Sequence, residues 1–189
     1  MIWNLPNLLT LSRIGLIPVF VSLVYLPEPW GLLLPALFFG LAALTDWADG
    51  YFARRRGMLT SFGKLLDPVA DKLLVISALV LLVSQGRAPL AFVLIIIARE
   101  ITIMALREYT SGLGIGGVPV SRTAKWKTGF QMAAILMLLL QNGLLDIPLQ
   151  LPGAICLFIA TLLTVYTGYR YVVGAWPHIQ QRNQEAGMT

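Results

Sequence analysis

Asp46, Asp49, Asp67 and Asp71 all fall in one stretch, DWADGYFARRRGMLTSFGKLLDPVAD, residues 46–71. The first two are three residues apart and the last two four apart, spacings that put each pair on one face of a helix. Gathered carboxylates hold hard cations through oxygen. Two divalent ions would neutralise all four, and with no His or Cys nearby the donors favour magnesium or manganese over zinc. Gly50 and Gly63 leave backbone open to a close ligand, and Ala53 is small on the face that carries Asp46, Asp49 and Gly50. Arg54 offers a planar fork for phosphate, and Thr60 and Ser61 add hydroxyls in a loop. Metals beside a phosphate ester point to in-line displacement at phosphorus.

A lone aspartate here reads as a helix cap, or as a loop charge balanced by Arg54, Arg55 and Arg56. Four converging ones do not. A membrane-embedded carboxylate costs up to roughly 3 kcal/mol, and crowded like charges add repulsion.

The elements that must carry these residues are apolar. The chain has 189 residues, 57% of them hydrophobic and 12% charged, with a mean hydropathy of +0.76. A soluble domain carries about twice that charged share. Six runs near the ~20 residues needed to cross a bilayer are expected as helices, at 9–26, 31–53, 66–85, 89–108, 124–142 and 149–173. The fold expected is therefore an all-α integral membrane protein, a single domain over 1–189. The amphipathic start IWNLPNLLTLSRI is expected to lie partly along the interface. No basic region precedes the first run and no small-residue cleavage site follows it, so it reads as mature structure. The breaks carry turn residues: Pro27-Glu28-Pro29, the Gly57 region, Gly86-Arg87-Ala88-Pro89, the glycine-rich 112–117, and Asn142-Gly143 with Pro148. That glycine-rich run has no strand ahead of it and reads as a flexible loop rather than a nucleotide cradle. The lone Cys156 reads as packing.

Basic residues sort to one side. Arg54, Arg55, Arg56, Lys64, Arg122, Lys125 and Lys127 share it with Arg13, Arg170 and Arg182, whereas the opposite loops hold Arg87 with Glu28 and Asp146. The positive-inside rule then places both termini and both basic loops in the cytosol. The net charge of +5 is explained by orientation and by contact with anionic lipid or phosphate, without nucleic acid. Asp46 and Asp49 come near the cytosolic end of the second span and Asp67 and Asp71 in the first turns of the third. The two pairs are expected to face each other as one acidic pocket.

A second group concerns a phosphorylated acceptor. Arg99 lies deep in the fourth span, where an unpaired cation is expensive, and Arg107 follows two turns on. Lys125 and Lys127 begin the fifth span; anchoring at the membrane surface explains them as well as phosphate contact does. A pair between Arg99 and Glu100 is set aside, because adjacent residues point apart on a helix.

The pattern Asp46-x2-Asp49-Gly50-x2-Ala53-Arg54-x8-Gly63-x3-Asp67-x3-Asp71 resembles, position for position, the signature of the CDP-alcohol phosphotransferases. That resemblance implies a six-helix membrane enzyme, usually a homodimer, with a cytosolic active site. It implies that Asp46, Asp49 and Asp67 ligate one metal and Asp46, Asp67 and Asp71 a second, with Asp71 also the general base. It implies that Gly50, Arg54 and Thr60 hold the CDP group. Leu5-Pro6-Asn7-Leu8-Leu9-Thr10 resembles the family's leading segment beside the nucleotide, which makes Asn7 a further donor contact or, equally, a helix cap. The stretches LPNLLTLSRI, TDWADGYFARR, FGKLLDPVADKLL, IIIAREITIMALREY and AKWKTGFQ resemble the bacterial branch that acts on CDP-diacylglycerol and sn-glycerol 3-phosphate. The expectation is transfer of the phosphatidyl group to that acceptor at the inner membrane, with Arg99, Arg107, Lys125 and Lys127 receiving its phosphate. Two rivals remain: a sister enzyme for inositol phosphate, serine or phosphatidylglycerol, which if uncharged would not need that cationic set, and a cation transporter. A transporter would need midplane carboxylates and repeats that the sequence does not display.

Overall fold

The computed structural model describes residues 5–56, 61–112, 122–141 and 147–186. Within these it leaves aside the side chains of 5–10, 46–56, 61–68, 71, 122, 178, 182, 183, 185 and 186. The apolar runs fold as helices: α1 (Leu5–Leu23), α2 (Trp30–Arg56), α3 (Ser61–Ser84), α4 (Leu90–Gly112), α5 (Arg122–Leu140) and α6 (Gln150–Ala186). No strand occurs among the described residues, so the all-α expectation holds. One helix among them, within Gln150–Gln181, is long and apolar enough to cross a membrane by length and composition. Shorter apolar helices span Leu11–Leu23, Trp30–Thr45 and Lys72–Ser84.

Helix limits move outward from the expected runs at several ends. α1 begins at Leu5, so the amphipathic start is continuous with the apolar helix. α2 continues through the arginines to Arg56, and Ser61, expected in a loop, opens α3. The cause is that helix formation needs only backbone hydrogen bonds and tolerable propensity, and Arg and Lys are good helix formers. A hydropathy boundary marks where apolar surface stops, not where the helix stops.

The chain packs as two units, residues 1–88 with 134–154 and residues 89–133 with 155–189. In the first, α1 lies against α3 and α2. Phe20 is fully buried, its ring stacked 5.7 Å from Phe38 and tilted 6.3 Å from Phe39. Leu79, Leu82, Ile135, Leu138 and Leu139 complete the interior. The α3 end is a glycine stop: Gly86 adopts φ 68°, Arg87 N–H donates to Leu82 O at 2.8 Å and Gly86 N–H to Val83 O at 2.9 Å. Arg87 then donates to the Leu139 carbonyl at 3.2 Å, satisfying an acceptor near the end of α5. Burial lowers the Arg87 pKa, and the charge of Glu28 raises it in part. At the end of α5 the left-handed position is Gln141, φ 48°, ahead of the expected Asn142-Gly143.

In the second unit α4 and α6 run side by side in the same sense. Phe92 meets Phe158 at 5.7 Å, Arg99 meets Thr167 and Gly168, and Ile103 packs with Tyr171 and Ala175. Leu106 and Ile179 extend that cluster. Partner numbers rise together along both helices, which is the signature of a parallel pair.

Candidate active site

The four aspartates lie on two helices, at matched distances from the ends that the 57–60 connection joins. Asp46 is ten residues before Arg56 and Asp71 ten after Ser61; Asp49 and Asp67 are seven and six from the same ends. At 1.5 Å per residue these are about 15 Å and 10 Å. Asp67 and Asp71 thus sit deeper in α3 than the first turns expected, because α3 starts at Ser61. Unbroken helix through Arg56 keeps Asp46, Asp49, Gly50 and Ala53 on one face, with Arg54 at its edge. Gly63 is in α3 and Asn7 in α1, while Thr60 lies outside the described residues, as do the side chains of the aspartates. The 113–121 part of the glycine-rich loop also lies outside them. Among the described residues no three His, Cys, Asp or Glu side chains gather as a metal group.

The cations expected to meet the acceptor have three different environments. Lys125 is exposed, as a surface anchor would be. Arg107 is exposed with its guanidinium carbon 5.7 Å from the Tyr171 ring centroid, a cation–π contact. Lys127 is buried, and its ammonium binds Glu100 Oε1. The same oxygen accepts a hydrogen bond from Arg99 Nη1 at 2.8 Å. Arg99 Nη2 donates to the Thr167 hydroxyl at 3.0 Å, and that hydroxyl donates onward to Leu163 O at 2.7 Å. Arg99 Nε is buried with no hydrogen-bond partner.

The Arg99–Glu100 pair that was set aside is therefore present. Adjacent Cα–Cβ vectors diverge on a helix, but an arginine reaches far around it. The Arg99 stem lies across α6 where Gly168 has no side chain: a Cβ there would be 3.0 Å from Arg99 Cγ and 3.4 Å from Nε. Glu100, drawn toward Lys127 on α5, closes the remaining gap. Glu100, Thr167 and Gly168 were absent from the expected site. A carboxylate in the apolar run IIIAREITI was the one available signal, since an acid there needs a partner.

The class follows from comparison with known proteins. A family model for CDP-alcohol phosphatidyltransferase matches residues 3–167, and the chain belongs to that family. Among its relatives, a protein of Rickettsia bellii is 46% identical over 89% of this chain and 93% of its own length. One from Pseudomonas fluorescens is 44% identical over 94% and 92%, and one from Bacillus subtilis 40% identical over 96% and 100%. All three carry the name CDP-diacylglycerol–glycerol-3-phosphate 3-phosphatidyltransferase.

Proposed function

We propose that this chain transfers the phosphatidyl group of CDP-diacylglycerol to sn-glycerol 3-phosphate, giving phosphatidylglycerophosphate and CMP. The observation that carries this is 40–46% identity to enzymes of that name across nearly the whole chain, with the eight-position aspartate pattern intact. Asp46, Asp49, Asp67 and Asp71 hold two divalent cations, magnesium or manganese; an all-carboxylate donor set fits such ions. When bound, they neutralise charge on the pyrophosphate and on the reacting oxygens. Gly50, Ala53, Arg54, Thr60, Gly63 and Asn7 bind the donor. Asp71 takes the proton of the free primary hydroxyl of the acceptor. That oxygen bonds to the lipid-linked phosphorus as the bond from phosphorus to the CMP oxygen breaks, and Arg54 binds the departing phosphate. Arg99, Arg107, Lys125 and Lys127 serve the acceptor phosphate. A sister enzyme for an uncharged acceptor would have no use for Arg99 held deep in α4.

The chain acts as one catalytic domain, a homodimer crossing a bacterial inner membrane six times, with termini and site cytosolic. Large apolar side chains exposed along the helices support a bilayer setting, among them Leu16, Leu41, Val80, Leu94 and Leu162. Exposed Tyr25 and Trp30 at one turn, and Tyr109 and Trp126 at helix ends, suit interfacial belts. Parallel α4 and α6 are what an even-span path requires.

Vesicles holding the purified protein and labelled CDP-diacylglycerol test the activity. CMP release should require magnesium or manganese, stop with chelator, and rise with glycerol 3-phosphate far more than with inositol phosphate. Equal stimulation by both acceptors would overturn the acceptor assignment, and no metal-dependent release with any alcohol would overturn the enzyme.

A further inference from the structure

Two cations share one oxygen at Glu100, and they are not equivalent. Glu100 and Lys127 are shut in, at 4% and 5% side-chain exposure, whereas Arg99 keeps 17%. Arg99 is the most exposed member of the trio and so the best placed to meet a ligand. Its orientation is fixed at several points. Glu100 Oε1 takes one Nη1 hydrogen and the Thr167 oxygen takes one Nη2 hydrogen. Thr167 commits its own hydrogen to Leu163 O, so its oxygen can only accept from the guanidinium. Gly168 leaves the slot in which the Arg99 stem lies. Only two of the five guanidinium hydrogens are thereby committed.

We propose that Glu100 is a positioning residue for the acceptor phosphate, and that Lys127 acts through it rather than by touching the acceptor. This rests on the phosphatidyl transfer to glycerol 3-phosphate proposed above. Lys127 pins the Glu100 carboxylate, the carboxylate and Thr167 set the plane of the Arg99 guanidinium, and Arg99 presents its two remaining Nη hydrogens to the phosphate. A fixed fork gives bidentate recognition that a freely rotating one does not. The arrangement also explains why Lys125 and Lys127, two residues apart, differ so much in burial.

The test is a double-mutant cycle on the full-length enzyme in CDP-diacylglycerol vesicles, using Glu100→Gln, Lys127→Met and the double variant. Each single change should raise KM for glycerol 3-phosphate about tenfold, the size expected for a hydrogen bond between charged groups. KM for CDP-diacylglycerol should stay near the unmodified value. The double variant should be no worse than Glu100→Gln alone, because the proposed route from Lys127 to Arg99 runs through Glu100. Gly168→Ala, which alters no charge, should raise the same KM severalfold by pushing on Arg99. Multiplying single effects would show Lys127 contacting the acceptor independently and overturn the proposal. Lowered thermal stability with both KM values unshifted would overturn it as well, leaving a merely structural trio. If the unmodified enzyme releases no CMP in response to glycerol 3-phosphate, the proposed activity itself fails and this role fails with it.

Discussion

The proposed roles of the aspartates on α2 and α3 and of the charged trio on α4 and α5 put carboxylates to two kinds of use. In the proposed reading Asp46, Asp49, Asp67 and Asp71 would take their cations from solution, as two divalent ions. Glu100 has its cations built in, at Lys127 and Arg99. Replacing the first kind should therefore strike chemistry, and replacing the second kind should strike acceptor affinity. Asp71→Asn is expected to cut turnover by about a hundredfold or more, the usual range for loss of a general base. CDP-diacylglycerol binding, read by equilibrium association with labelled donor, should remain. Donor binding lost with residual turnover intact would contradict the role as base. The aspartate pattern stands out in sequence by its spacing, which encodes a shared helix face, while its side chains lie outside the described residues. The Glu100 pairing does not stand out, because it depends on where α5 and α6 come to lie, and local spacing argued against it.

At the scale of elements, turn chemistry was readable where glycine is required by backbone conformation or close approach, and less so elsewhere. Gly86 marks the end of α3 because φ 68° is strained for residues with a Cβ. Gln141 holds a similar conformation after α5, which composition does not single out, and the expected Asn142-Gly143 break lies outside the described residues. Glycines 31 and 86 separate two causes of glycine preference. A Cβ at Gly86 would meet nothing within 4 Å, so Gly86→Ala should cost only the backbone strain, about 1 kcal/mol. A Cβ at Gly31 would lie 2.2 Å from the Leu26 carbonyl oxygen, a main-chain atom that cannot swing aside. Gly31→Ala should therefore lower the melting temperature in detergent much more than Gly86→Ala. Equal losses would show that the turn after α1 relaxes freely. Arg87→Met tests a third kind of end: loss of its bond to Leu139 O should cost about 1 kcal/mol, seen in the same melting experiment.

For the whole molecule, the direction of each helix matters more than its length. Hydropathy suggested six crossings, yet among the described residues only the Gln150–Gln181 stretch meets a strict length and composition test. Asp46 and Asp49 lie in the second half of α2, Asp67 and Asp71 in the first half of α3, Arg99 and Glu100 near the middle of α4, and Lys125 and Lys127 near the start of α5. A helix that carries charge among apolar residues offsets the cost by pairing it inside the protein, as Glu100 does with Lys127 and Arg99. In the proposed topology the basic loops set the orientation, and α4 and α6 run in the same sense, as helices separated by one crossing must. Fusions of a reporter that is active only after export should therefore be active when joined after Arg87, and inactive when joined after Arg56 or Thr189. Activity at Arg56 would place the arginine run outside, reverse the positive-inside assignment, and put the aspartates on the face away from a cytosolic acceptor.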